Sequence, residues 1–323
     1  MTVPNSRASP EGSCWEISTE VDCPRLRHKQ QELLTIPIFV SLLLFLLVFV
    51  QRLRSNASEI VSKGCNALWQ QKIDMRDEAL NRRAEVLTHL ELFVDMKAKY
   101  DPFEPSWNCH IEQRVGNEFG DGGKFVCGSL NSYFSFRSCL VYSVGSNGDL
   151  TFEQSLNTVG CEIHTFDPTG DTPTWEGNAT ASGVHYHAWG LRGDPSSGTT
   201  FFNPYTNTHN PLLTLVEMRT RLAHDGRKID ILKVDCEGCE WAAFKLIFDD
   251  VILGRYRVGQ IQIELHSLDF PVIEDFFKHA NQAKFHIFHK ERNHWGCDGY
   301  KCIEFALIEE ETALEIFKHT HHC

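Results

Sequence analysis

At 323 residues the chain has room for one domain of about 200–250 residues plus additions, or for two small domains. An apolar fraction of 42% supports a sizeable core. A formal charge of −12 leaves no broad basic surface, which argues against nucleic-acid binding through phosphates.

Residues 1–32 are polar, rich in Pro, Ser and charge, and read as a short tail. Leu33 to Val50 (LLTIPIFVSLLLFLLVFV) then holds no charge. Extended by Gln31, Glu32 and Gln51, it just reaches the roughly 20 residues needed to cross a bilayer, so a membrane span is expected over 33–51. A core helix would show a polar face and a cleaved signal would lie closer to the start; neither fits. Arg25, Arg27 and Lys29 before the span balance Arg52, Arg54 and Lys63 after it, so charge leaves the orientation open. Asn56-Ala-Ser58 and Asn178-Ala-Thr180 match the glycan-acceptor pattern, and most of the 12 cysteines follow Val50. Both features favour a type II protein of the secretory pathway, in the Golgi or the endoplasmic reticulum, with its C-terminal part in an oxidising lumen. Cysteines 109, 127, 139, 161, 236, 239, 297, 302 and 323 fall in the globular region, an odd set that leaves at least one unpaired within it.

Residues 55–100 are charged and helix-favouring. Ile73, Leu80, Leu87 and Val94 repeat at seven, but the companion seam carries Arg76, Arg83, Leu90 and Lys97. A coiled coil needs both seams apolar, so the segment reads as a stem helix docked on the domain and ended by Pro102 and Pro105.

The domain, 101–323, alternates strand and helix. Leu140–Val144 is a first strand, and Thr151-Phe-Glu-Gln154 resembles a capping box opening a helix that Gly160 closes. Strands follow at Glu162–Phe166 and Val184–Trp189, then a Gly-, Pro- and Ser-rich loop over 190–210. Pro211 suits the first position of a helix running to His224. Ile229–Val234 is a fourth strand, Cys239–Phe248 a helix, Gln260–Leu265 a fifth strand, and Asp269 with Pro271 opens another helix. Phe285–His289 and Cys302–Ile308 form a closing antiparallel hairpin, and the His-Thr-His-His-Cys323 tail reads as disordered. This order predicts an α/β fold, a Rossmann-like seven-stranded methyltransferase sheet with helices on both faces.

Leu140-Val-Tyr-Ser-Val-Gly-Ser-Asn-Gly-Asp149 predicts a buried strand entering a tight glycine turn. Gly145 to Asp167 matches the spacing at which α/β nucleotide sites place an acid on ribose hydroxyls. The positions a dinucleotide fingerprint needs hold Asn147 and Leu150, so a nicotinamide cofactor loses support against S-adenosylmethionine, which has no pyrophosphate. Leu232-Lys-Val-Asp235-Cys-Glu237-Gly-Cys-Glu240 carries Asp235 and Glu237 to the carboxyl edge of the sheet. Gln260-Ile-Gln-Ile-Glu264-Leu-His266 alternates, placing Glu264 and His266 on one face, where His266 is a candidate base for a hydroxyl proton. Cys236 and Cys239 sit where a thiol–disulfide motif would, but the intervening Glu237 opposes a thiolate. A four-cysteine zinc site with Cys297 and Cys302 is less favoured than disulfides or free thiols, and no metal is assigned. His185 and His187 share a strand face without a carboxylate placed beside them, and Trp189 is a candidate for stacking on adenine.

Taken as an ordered set, LVYSVGSNGD, GCEIHTFDPT, LKVDCEGCEW and IQIELH resemble the S-adenosylmethionine-dependent methyltransferase-like proteins related to the FkbM type. The segment from Arg114 to Cys127 resembles the stretch before the first strand in that family, and the likeness covers roughly 106–308. The resemblance implies a cofactor methionine portion at Gly145, Ser146 and Asn147, its ribose at Asp167, and Asp235 near the transferred methyl. Asp235, Glu237, Glu264 and His266 are then the catalytic candidates. The acceptor is left open among glycan, lipid, protein and small molecule, and a catalytically silent binding domain on a membrane anchor is the alternative.

Overall fold

The computed structural model of the chain describes residues 29–135, 137–193, 198–295 and 297–323, and the chain divides into two compact units, 1–60 and 61–323. Most of the expected tail thus lies outside the described residues.

Helix α1, Lys29–Val86, carries the whole apolar run. Within the first unit its large side chains stay uncovered, Phe45 at 69% exposure and Leu43 at 61%. Among the described residues one helix is therefore long and apolar enough to cross a membrane. Asn56-Ala-Ser58 lies on this helix, its side chains outside those described.

In the second unit the later turns of α1 pack on the domain. Trp69 lies 5.3 Å from both the Trp107 and the Phe317 rings. Lys72 donates to the Asn108 carbonyl at 2.8 Å, Arg76 pairs with Glu310 at 2.5 Å, and Arg83 donates to the Glu104 carbonyl at 2.5 Å. The helix stops at Val86, well before Pro102, and the chain continues through 3-10 turns at Leu90–Phe93 and Met96–Ala98. Those turns let buried Phe93, Tyr100 and Phe103 reach the core; Phe93 stacks on Phe270 at 5.8 Å.

After a hairpin of β1 (Glu112–Val115) and β2 (Lys124–Cys127) comes the main sheet. Its chain order runs β3 (Leu140–Val144), α2 (Thr151–Asn157), β4 (Glu162–Phe166), α3 (Thr172–Ala181) and β5 (His185–His187). Strands β6 (Gly190–Leu191), β7 (Thr200–Asn203) and β8 (Thr208–Leu213) and helix α4 (Leu215–Arg221) intervene. Then follow β9 (Ile229–Val234), α5 (Glu240–Ile252), β10 (Val258–His266), α6 (Phe270–Gln282), β11 (Phe285–Arg292), β12 (Cys302–Glu309) and α7 (Glu310–His321).

The seven-stranded sheet has the order β11-β12-β10-β9-β3-β4-β5, with β3, β4, β5, β9 and β10 parallel and β12 antiparallel to both its neighbours. Both faces are covered. Leu140, Tyr142 and Val144 of β3 face one core cluster while Val141 faces the other, the period-2 outcome of a strand buried on both sides.

Four local expectations are corrected. Residues 190–210 are not a plain loop, because β6, β7 and β8 pair into a small three-stranded sheet. Pro211 lies in β8, and α4 starts after Thr214, whose hydroxyl caps the Glu217 amide at 3.2 Å while the Glu217 carboxylate accepts the Thr214 amide at 2.7 Å. This reciprocal cap satisfies two donors and so outweighs the proline signal. Thr151 is not a cap; Asp149 accepts its amide at 2.9 Å. The C-terminal tail is helical through His321.

All ten cysteines after Val50 pair, as Cys65–Cys323, Cys109–Cys127, Cys139–Cys161, Cys236–Cys239 and Cys297–Cys302. The odd count within the domain is resolved by Cys65 from the stem. Because Cys65–Cys323 closes a separation of 258 residues, Cys323→Ser should lower stability by about 2–4 kcal/mol. Denaturant titration under non-reducing conditions checks this; an unchanged midpoint would mean that the Trp69 packing suffices.

Candidate active site

The parallel strands align their carboxyl ends. Val144 pairs with Phe166 and Val234, and Val234 with Ile263, so Gly145, Asp167, Asp235 and Glu264 emerge at one level. The first turn is locked from several sides. Gly145 has φ +78, and a Cβ there would lie 1.7 Å from the Asp235 carbonyl oxygen. Its amide donates to Phe166 O at 2.9 Å, and the Lys233 ammonium donates to its carbonyl at 2.6 Å. Lys233 is buried 3.9 Å from Glu153, itself fully buried and accepting from Ser143. Sequence reading missed this pair; the one signal was Lys233 within the apolar run Ile231-Leu-Lys-Val234.

Asp167 is 4% exposed and grips the turn. One carboxylate oxygen accepts the amides of Ser146 at 3.0 Å and Asn147 at 3.1 Å; the other accepts the Thr169 amide at 3.0 Å and hydroxyl at 2.6 Å. A carboxylate offers about four lone-pair sites, and all are used. Gly145, Ser146, Asn147 and Asp167 are therefore together, but a ribose hydroxyl would have to displace a partner. Thr169 Oγ1, which rotates freely, is the one released at least cost. Trp189 stacks on Phe166 at 5.9 Å and on His187 at 4.5 Å, with the Arg221 guanidinium 5.6 Å from its ring.

The four catalytic candidates do converge. His266 Nδ1 lies 2.8 Å from Glu240, while its Nε2 is 3.5 Å from Glu237, 3.8 Å from Glu264 and 4.0 Å from Asp235. Glu237 is the exposed arm, its backbone left-handed at φ 55 and its side chain 83% exposed. Three further residues complete the cluster. Glu304 pairs directly across from Glu264 on β12, and like charges so placed repel. Lys124, delivered by the β1–β2 hairpin, contacts Glu304 and lies 3.7 Å from Asp235. Asn293 donates to Glu264 at 2.8 Å. Lys124 and Glu304 were not read as site residues because nothing local in the sequence brings β2 against β12.

This crowding sets the protonation. Burial, with Glu304 and Asp235 beside it, pushes the Glu264 carboxyl up to about 9. Burial alone would raise Asp235, but Lys124 and Lys233 hold it below the usual carboxylate range. Burial would lower His266, yet its hydrogen bond to Glu240 and the surrounding carboxylates raise it to about 9. At neutral pH His266 is thus a proton donor rather than the base expected, and Asp235 is the ionised group. Both His266 and Glu264 hold protons when folded that they release when unfolded, His266 from its ordinary 6.5 and Glu264 from its ordinary 4.5 up to about 9. Their stabilisation is complete below those unfolded values and is lost as pH rises through about 9. Melting curves between pH 7 and 9 should show stability falling by about 1 kcal/mol per unit for each proton involved, a slope reduced in Glu264→Gln. A flat profile would refute these protonation states.

Asp121, Asp235, Glu264 and Glu304 bring oxygens within 4.8 Å of one another, but Lys124 already supplies the neutralising cation there. Cys236–Cys239 and Cys297–Cys302 flank the cluster as disulfides, so their sulfurs do not form a four-cysteine zinc site.

Comparison with known proteins agrees with this architecture. Residues 69–309 match the family model described as a methyltransferase domain. The human probable methyltransferase-like protein 24 is 29% identical over 173 residues, covering 49% of this chain and 44% of the relative. Its rat counterpart is 32% identical over 141 residues, covering 43% and 35%. The matched stretch thus spans less than half the length of these relatives. Among solved structures, the Methanococcus jannaschii fibrillarin pre-rRNA processing protein is similar at a TM-score of 0.33 and 10% identity, covering 62% of this chain and 84% of that one. The strand order and the family match carry the assignment: the chain belongs to the methyltransferase-domain family, with an S-adenosylmethionine-dependent methyltransferase-like fold.

Proposed function

We propose that the protein is an S-adenosylmethionine-dependent methyltransferase, held in a membrane through residues 33–51 and acting on an oxygen acceptor. The observation that carries this reading is the convergence of the Gly145 turn, Asp167, Asp235 and His266 on one rim of the sheet. When bound, S-adenosylmethionine would supply a methyl group bonded to a sulfonium sulfur. Gly145, Ser146 and Asn147 would present the turn to its methionine portion, and Asp167 would accept from the ribose where the Thr169 hydroxyl is released. Asp235, ionised between Lys124 and His266, takes the proton of an acceptor hydroxyl, while imidazolium His266 and exposed Glu237 orient that acceptor. The rim carboxylates also favour a cation, as a sulfonium is.

A type II topology with a secretory lumenal domain, in the Golgi or endoplasmic reticulum, is supported by the exposed apolar stretch of α1. The five disulfides, which persist in oxidising compartments, and exposed Asn178 support it too. The acceptor class is left among glycans, lipids, protein side chains and small molecules. A catalytically silent binding domain is the second reading, favoured by the saturated hydrogen bonding of Asp167.

Calorimetry with S-adenosylmethionine on the full chain in detergent separates the two. Binding is expected, weakened in Asp167→Ala, and Asp235→Ala should cut methyl transfer to a lumenal acceptor pool by about 10²-fold or more while binding persists. A folded chain that binds no cofactor would leave the silent-domain reading.

A further inference from the structure

At the opposite edge of the sheet from this rim lies a second cluster that methyl transfer does not use. Glu162 and His164 sit two apart on β4 and so project to the same face. Glu162 Oε1 lies 3.0 Å from His164 Nε2 and 3.1 Å from His224 Nε2. Neighbouring ligands around a tetrahedral zinc with bonds of about 2.0–2.1 Å stand about 3.3 Å apart. Both carboxylate–imidazole distances are therefore within a few tenths of an ångström of the spacing a zinc ion needs, and the three donor atoms all fall within 4.8 Å of one another.

The outer groups fit too. A metal-binding imidazole is normally fixed through its other nitrogen. Here the Tyr142 hydroxyl lies 2.8 Å from His224 Nδ1, and His187 Nε2 lies 2.9 Å from His164 Nδ1. Tyrosine and histidine can each donate or accept, so these contacts survive when the two ligand nitrogens turn from Glu162 to a metal. Arg227 holds the remaining Glu162 oxygen at 2.7 Å; it orients the carboxylate, and its charge moderates affinity for a dication. Burial holds the His164 imidazole down at about 4, and lowers His224 as well, so both are neutral and able to ligate. Glu162 is 36% exposed and gives the cluster an opening to solvent.

We infer that Glu162, His164 and His224 form a zinc site, with a solvent molecule or the neighbouring His185 free to take the fourth position. Strand spacing puts Glu162 about 16 Å from Asp167, so the ion would tie β4 to the segment after α4 rather than take part in chemistry at the rim. The experiment is calorimetric titration of the chelator-stripped full chain in detergent with Zn2+, supported by the visible bands of Co2+. One ion per chain is expected, bound more tightly than about 10 μM, with affinity falling at least tenfold in His224→Gln and in Glu162→Gln and unchanged in His279→Gln. Far-UV circular dichroism establishes that each variant is folded; if His224→Gln fails to fold, Glu162→Gln decides. Absence of binding to the parent chain, or binding unaltered in the folded Glu162 variant, would overturn the site.

Discussion

Gly145→Ala should disable the molecule more thoroughly than loss of any polar side chain at the rim. The added methyl would stand 1.7 Å from the Asp235 carbonyl oxygen, and that oxygen belongs to backbone that cannot rotate away. A left-handed residue other than glycine costs about 1–2 kcal/mol before any clash is counted. Relieving the overlap means separating the ends of β3 and β9, which breaks the Asp235 amide bond to Val144 at 2.9 Å and the Lys233 contact to the Gly145 carbonyl. The expected loss is about 4 kcal/mol or more, a melting temperature lower by roughly 10 °C for a domain of this size. Thermal and denaturant unfolding measure it directly. A variant melting within a degree or two of the parent would show that the turn is not as tightly closed as described.

Replacing Lys124 by Met should rank second, and its effect should depend on pH. The ammonium is 3% exposed and is the one cation contacting both Glu304 and Asp235 among the described residues. Burial would lower its pKa, but the three carboxylates around it keep it charged. Removing one partner of a buried ionic group costs about 3–5 kcal/mol, because the remaining charges are stranded away from water. Those charges can be quenched by protons. The deficit of Lys124→Met relative to the parent should therefore be largest near pH 8, where Glu264 already holds its proton, and shrink towards pH 5, as Glu304 and then Asp235 take protons. Equal stability of the two proteins at pH 8 would mean that water or rearrangement, and not the lysine, balances the carboxylates.

The strands were legible because their chemistry is local. LVYSV and ILKV are mostly apolar, EIHTF and IQIEL alternate apolar with polar residues, and each leads into the Gly, Asp or Glu that marks a carboxyl edge, so sheet, rim and family followed from short stretches. Less legible were the segments whose signals compete. Pro211 reads as a helix start until Thr214 and Glu217 cap each other three residues later, and the Gly- and Ser-rich run over 190–210 hides strands that pair only with one another. The C-terminal histidines look unstructured until Cys323 is seen bonded to Cys65.

Residue types and strand periodicity by themselves determined that Asp235, Glu264 and His266 leave the sheet together, since alternation and parallel register depend only on neighbours along the chain. Only the tertiary structure decided what those groups are. Lys124 arrives from a hairpin far away in sequence, Glu304 comes across from an antiparallel strand, and Glu240 binds the imidazole from the next helix. Protonation depends on every charge within a few ångströms, whatever its distance along the chain. That is why His266 reads as a base in the sequence and stands as an acid in the folded protein.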